Sequence, residues 1–495
     1  MAFSDLREWI AAIEKREQLV TIRNQVDWNE EIGALTRLTG EKAGPALLFE
    51  NIKDYEKGRC TRVFTNGLAS PGRVALALGL PENSTDREIT VGMKDKFRLR
   101  IPPTVVESGP VKENIVKGEE VNLYDFPVPL WNAEDGGRYI NTMCGIVTKD
   151  PDTGLMNIGM YRGMITGKNT IGVLLAMSQH WGHHFAKYRA RGEEMPVAVV
   201  YGWDPTLFIA ASTPVFHPDC SEYEITGGLR GESVPLVKCE TSDLMVPAGA
   251  EIVVEGFISA DPGTFIQEGP FAEYTGYYAG ESTPKHVIRV ECITHRNDAI
   301  FAGTVEGGIP GKLVEPYYWM AYSKCAVVWD YLEKSGVPNI LGVWNKPVSR
   351  CTNVRVQIKT AYRGHAQQVA HCIWGSTLMN YTGKMVTVVD EDIDVYSDDA
   401  VDWALAYRLN ADMGDIMICH GSIGSMLDPS VPLDLRNSVK YGMGKWAPVL
   451  LDATINWELE IQPQYGNKRY PSVSSIISEQ ARELVTRRWK EYGLE

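Results

Sequence analysis

The chain has 495 residues, 44% of them hydrophobic and 23% charged, and a net charge of −14. That length accommodates two or three domains with cores of their own, and the acidic balance excludes a nucleic-acid binder or a partner of anionic membranes, both of which need clustered Lys and Arg. Asp5, Arg7 and Glu8 break the start where a signal peptide needs an apolar stretch, the most continuous apolar run (171–177) is far below the ~18–20 residues that span a bilayer, and the nine scattered cysteines form no CxxC pair, so free thiols in a cytoplasmic protein are expected.

In chain order, Leu6, Trp9, Ile10 and Ile13 recur at helical spacing after Ser4, which reads as the N-cap. A mixed region runs to about residue 115, where ESGPVKENIVKGEEVNLYDFPVP reads as a polar connection. From about 120 to 312 the sequence is strand-rich: VAVVYGW (197–203), EIVVEGFI (251–258), and two runs in 286–305 parted by the turn signal Arg296-Asn297-Asp298. From 313 onward helix and strand patterns alternate. KMVTVVDED (384–392) is a strand ending in acid, SDDAVDWALAYRL (397–409) is a helix capped by Ser397 or Asp398, and a last helix over about 475–491 aligns Ile477, Ala481, Leu484 and Arg488. The expected class is α+β, with an N-terminal α/β part (1–115), a β-rich centre (116–312) and a C-terminal α/β part ending in a helix (313–495).

Several familiar signals fail. GGIPGK (307–312) is one residue short of a phosphate loop, and Leu313 stands where Ser or Thr would hold magnesium. DEDIDV (390–395) could present Asp392 as the nucleophile of a metal-dependent phosphatase, but an acidic strand end feeding a capped helix explains it better. MNIGMYRGM (156–164) puts Asn157 and Arg162 five apart, on opposite sides of a regular strand, so a bulge or bend is required if both line one cleft. EGPFAEYTGYYAG fixes Glu268 and Glu273 in a stiff aromatic loop, an arrangement a solvated turn does not need and an acid/base site does.

These segments together resemble the UbiD family of reversible aromatic-acid decarboxylases, nearly end to end. The likeness is carried by NIGMYRG, QHWGHH, ASTP followed by SEYEITGGLRGE, EGPFAEYTGYY, KMVTVVDEDIDVY and LDPS (427–430), and is strongest to the non-oxidative hydroxyarylic-acid decarboxylases. It implies a split-barrel-like central domain that binds prenylated FMN. It further implies that Asn157, His180 and Glu222 hold a divalent ion, Mn²⁺ or Mg²⁺, bridging to the cofactor phosphate, and that Ala211, Ser212 and Glu222 bind K⁺. Ile158, Gln179 and Ser212 fall among the cofactor contacts, and Lys384 where a lysine meets the phosphate. An amide oxygen, a carboxylate and an imidazole completed by phosphate oxygens form a hard set, and its one nitrogen tilts the choice to Mn²⁺.

Arg162, Glu268 and Glu273 match the catalytic set. Loss of CO₂ from an aromatic acid leaves a carbanion orthogonal to the ring π system, which no side chain can delocalise, so a cofactor must serve as electron sink. The resemblance implies a covalent adduct with the modified flavin, and Glu273 as proton donor to the vacated carbon. Glu268 is expected to stay ionised on Arg162 while Glu273 keeps the shared proton, with Phe271, Tyr274 and Tyr277 excluding water.

The implied reaction is reversible decarboxylation of a hydroxybenzoate-type, indole-type or pyrrole-type acid, with a flavin prenyltransferase as cofactor supplier and assembly as a homodimer or homohexamer. A non-catalytic flavin-binding assembly subunit is the rival reading, disfavoured because the Arg-Glu-Glu set is intact. Ile309, Tyr317, Met426 and Leu427 are candidate substrate-pocket residues by position, and GTVEGGIPGKLVEPYYW lacks the histidine some relatives carry there.

Overall fold

The computed structural model describes residues 2–214, 219–350, 352–380, 382–436, 444–471 and 477–494. Ten strands form the central sheet, and the pairings along it are antiparallel. Mixed parallel and antiparallel sheets of four and five strands lie in the N- and C-terminal parts, which gives the expected α+β class. The β-type runs read from sequence are strands Met195–Tyr201, Ile252–Ile258 and Met385–Val389. Met195–Tyr201 and Ile252–Ile258 pair in register over seven residues, and their alternate side chains feed two cores on opposite faces of the sheet.

Several local expectations change. Asp5, not Ser4, caps helix Leu6–Glu14, because Asp5 has the extended backbone and its carboxylate accepts the Glu8 amide at 2.9 Å. Within the polar connection, Asn114–Lys117 is a strand pairing with Thr283–His295. The turn at Arg296–Asp298 separates that long strand from Ala299–Ala302, which leaves the central sheet to pair in parallel with Cys60–Thr65. Ser397 caps helix Asp398–Tyr407 as read. The last helix is shorter than expected, Glu479–Arg487 with Ser478 as cap, and all its residues are exposed; residues 475–476 of the expected span lie outside those described.

Helix Glu315–Lys334 ties the parts together. The buried Glu315 carboxylate accepts the amides of Asn66 (3.1 Å) and Leu68 (2.7 Å), and Trp319, Tyr322 and Trp329 pack into a core shared with helix Asp86–Phe97 and the C-terminal sheet. This helix therefore contributes to the wall of a cavity of about 390 Å³, which Met320 and Lys324 line. No described helix is long and apolar enough to cross a membrane, and the described cysteines are free.

Candidate active site

Strand Met156–Gly159 stops at Gly159, and residues 160–162 cross to strand Gly163–Gly167. This strand end, rather than a bulge, lets Asn157 and Arg162 line one cavity of about 390 Å³. Helix His180–Arg191 presents His180 as its first residue, and helix Glu222–Arg230, capped by Ser221, presents Glu222 in the same way. The Asn157 amide end lies 2.7 Å from His180 Nδ1 and 3.3 Å from Glu222 Oε1, while the Ile158 amide donates to Glu222 Oε2 at 2.7 Å. Burial pushes the Glu222 carboxyl up to about 7 and holds the His180 imidazole below its ordinary value.

Three lone-pair donors from three elements thus converge with one another. With its amide nitrogen turned to this side, Asn157 donates to His180 Nδ1 and Glu222 Oε1 and its carbonyl accepts the Ile158 amide; turned the other way, the carbonyl oxygen joins the imidazole and the carboxylate as a hard donor set of the kind a divalent ion takes. The uncapped N-terminus of helix His180–Arg191, where the Gln179 side chain instead accepts from Trp181 Nε1 at 3.0 Å, leaves backbone N–H groups for an anion. The residues present therefore fit a divalent ion bridged to a phosphate. Ser212 closes helix Pro205–Ala211, accepting from Trp319 Nε1 at 2.9 Å, and the Ala211 carbonyl accepts the Met160 amide; both residues line the cavity.

Glu268 ends strand Ile266–Glu268, and Glu273 follows across the Gly269–Pro270 step. Arg162 joins them: Nη2 donates to Glu268 Oε2 at 3.0 Å and Nη1 to Glu273 Oε1 at 2.5 Å. Glu268 is fully buried and also accepts from the Tyr139 hydroxyl at 2.8 Å. Burial raises the pKa of Glu273 against the opposing pull of Arg162, so it holds its proton more tightly than an ordinary carboxyl. For Arg162 burial works the other way, but the charges of Glu273 and Glu268 carry its guanidinium above the usual range.

Residues unflagged by sequence hold this loop. Asp135 Oδ1 accepts the Ala272 amide at 3.0 Å and the Gly136 amide donates to Pro270 O at 2.8 Å. The approach is so close that a Cβ on Gly136 would meet Gly269 O at 2.0 Å. Phe271 is buried under the Arg162 guanidinium, 5.5 Å from its ring centroid, whereas Tyr277 is 59% exposed and excludes no water. The turn at Gly276, with φ of +83°, carries Tyr277 outward.

Met426 and Leu427 also line the cavity, together with Glu306 and Arg350, which sequence reasoning missed. Two pocket candidates are corrected. Ile309 is 51% exposed beyond the positive-φ turn at Gly307, and Tyr317, though buried, spends its hydroxyl on Tyr274 O (2.6 Å) and the Gly308 amide; neither lines the cavity. Lys384 is also outside it. Its ammonium is held by Asp428 (2.6 Å) and Ser430 (2.7 Å) on the wall of an adjoining cavity of about 190 Å³ that shares Tyr274 and Arg350 with the first. Asp392 is gripped by both Nη atoms of Arg408, at 2.8 and 2.5 Å, and lies off the cavity, so it is a helix-entry ion pair and not a nucleophile.

Family models described as the 3-octaprenyl-4-hydroxybenzoate carboxy-lyase N-terminal, Rift-related and C-terminal domains match residues 10–91, 104–309 and 317–445. Phenolic acid decarboxylase of Bacillus subtilis (strain 168) is 34% identical over 477 residues, covering 94% of this chain and 95% of that one. The chain belongs to the UbiD family of carboxy-lyases. Among solved UbiD structures, vanillic acid decarboxylase of Sedimentibacter hydroxybenzoicus in its closed form matches with a TM-score of 0.86 at 29% identity over 99% of both chains. The UbiD-class enzyme HmfF of Pelotomaculum thermopropionicum, in complex with FMN, matches with a TM-score of 0.78 at 30% identity, over 92% of this chain and 95% of that one. An evolved dimeric form of HmfF, in complex with prFMN, matches with a TM-score of 0.76 at 28% identity over 92% of this chain and 96% of that one.

Proposed function

We propose that this UbiD carboxy-lyase is a reversible, non-oxidative decarboxylase of a phenolic or heteroaromatic acid, working with prenylated FMN. The observation that carries the reading is one arginine, Arg162, bonded to both Glu268 and Glu273 at the wall of a cavity that also gathers Asn157, His180 and Glu222. Asn157, His180 and Glu222 would hold Mn²⁺ or Mg²⁺ against the cofactor phosphate, with K⁺ at Ala211, Ser212 and Glu222. When bound, the cofactor supplies the electron sink that the departing carboxylate requires.

The chain's own residues do the rest. Arg162 positions Glu268 and Glu273; Phe271 shields the guanidinium from solvent; Glu273 delivers its proton to the ring carbon as CO₂ leaves and regains one from water. The supply of cofactor by a flavin prenyltransferase and assembly into a homodimer or homohexamer belong to the same reading.

The test is co-expression with a flavin prenyltransferase and turnover of a panel of aromatic and heteroaromatic acids in D₂O. Product deuterated at the vacated carbon is expected, with Glu273→Gln lowering the rate by about 10²–10⁴-fold. Because Glu273 must be protonated to donate, the wild-type rate falls as pH rises through its raised pKa. Full turnover by protein lacking the modified flavin would overturn the reading.

A further inference from the structure

The cavity wall near Glu273 carries an ion pair that the reaction as described does not use. Arg350 Nη1 donates to Glu306 Oε2 at 3.0 Å and Nη2 to Glu306 Oε1 at 3.3 Å. Arg350 is 3% exposed and lies over the rings of Tyr317 and Tyr274, 4.8 and 5.4 Å from their centroids. A second arginine, Arg37, fixes the backbone of the same segment by donating to the Glu306 and Gly307 carbonyls. The Glu306 carboxylate is thus held at both its head and its main chain, on the wall of the cavity and close enough to Glu273 for its charge to favour the Glu273 proton.

A carboxylate offers about four acceptor positions, and the Arg350 guanidinium occupies two. Its second Nη atom is also spent, on Met320 Sδ at 3.0 Å. The cavity that Glu306 and Arg350 line also carries the apolar side chains of Met320, Leu378, Met426 and Leu427, alongside Lys324, Thr377 and Thr382. A fixed, largely buried acceptor with spare lone pairs rewards a ligand that brings a donor and penalises one that buries it unpaired.

We propose that Glu306, clamped by Arg350, is the specificity-determining group of this enzyme and accepts a hydrogen bond from a ring hydroxyl of the substrate. The inference rests on the reading of the cavity as an aromatic-acid site. It assigns the substrate to acids carrying a free phenolic O–H, and treats an O-methylated ring as an acceptor-only group that Glu306 rejects.

The test separates recognition from turnover. The full chain loaded with unmodified FMN, which lacks the added ring, is titrated calorimetrically with 4-hydroxybenzoate against 4-methoxybenzoate, and with the corresponding 3-substituted pair. In the wild type at least one hydroxylated acid is expected to bind about tenfold or more tightly than its methyl ether, the scale set by one unsatisfied buried acceptor. Glu306→Gln, which keeps the side-chain shape, should bring the ratio within about twofold. Equal binding of both members of each pair by the wild type overturns the proposal without recourse to any variant, as does a preference that survives Glu306→Gln. If those results come with deuterated product in the turnover experiment, only the assignment of Glu306 fails. If no acid binds and none is turned over, the reading of the cavity fails with it.

Discussion

The two polar clusters that line the cavity are built differently. Around Arg162 most polar side chains sit beside the terminus of a regular element: Asn157 in a strand that stops at Gly159, His180 and Glu222 as first residues of helices, Glu268 at a strand end, while Glu273 lies in the loop that Asp135 and Gly136 tether. Their positions are inherited from backbone hydrogen bonding. Glu306, in an irregular segment, and Arg350, just past the short 3-10 turn Pro347–Ser349, are 44 residues apart and hold each other in place through their side chains. On the proposed reading, most of the reaction chemistry is set by element termini, while recognition falls to a pair that substitution can change without disturbing the sheet.

The largest effect that would break this comparison is at Arg162. Arg162→Met strands two buried carboxyls, which should cost about 3–5 kcal/mol of stability, and should cut turnover by about 10³-fold even where the protein remains folded. Near-normal rates measured for a folded Arg162→Met protein would remove the catalytic role of that cluster. A middle-sized effect concerns the cation. Glu222 has a folded-state pKa of about 7 against an ordinary 4.5, so the metal-free protein keeps this stabilising contribution below pH 4.5 and loses it as pH rises through 7. Mn²⁺ binding should therefore raise the thermal midpoint by a few degrees more at pH 8 than at pH 5.5. That difference should vanish in Glu222→Gln, as followed by differential scanning fluorimetry. The smallest effect sharpens the comparison at the loop tether. Asp135 acts through Ala272, not on substrate, so Asp135→Asn should lower kcat by about tenfold or less with KM unchanged and with hydroxyl-over-methoxy binding preference intact.

Much of the Arg162 cluster was legible before the structure because strand and helix termini leave local signatures. NIGMYRG and EGPFAEY each carry their functional residues within a few positions of a chain break, and the spacing of Asn157 and Arg162 already demanded an interruption of the strand. The fold class was legible for the same reason, from runs such as 251–258 whose periodicity is local. What was not legible depends on contacts far apart in sequence. Glu306 sits in a glycine-rich stretch with no signature, and only Arg350 and Arg37, the latter some 270 positions away, make it a fixed group. Lys384 shows the converse. Its position invited a phosphate contact, but Asp428 and Ser430, 44 and 46 residues on, capture the ammonium. Tyr277 failed as a water shield because one positive-φ glycine reverses the chain ahead of it.

The return of strand Ala299–Ala302 to the side of Cys60–Thr65 has a bearing on biosynthesis. A ribosome releases the first three strands of that sheet long before the fourth, so Cys60–Thr65 must wait with one row of amides and carbonyls unmatched while the entire central sheet is translated. The front of the molecule is completed late, and only four residues before Glu306. A nascent chain interrupted within the central sheet would carry a raw edge open to other chains.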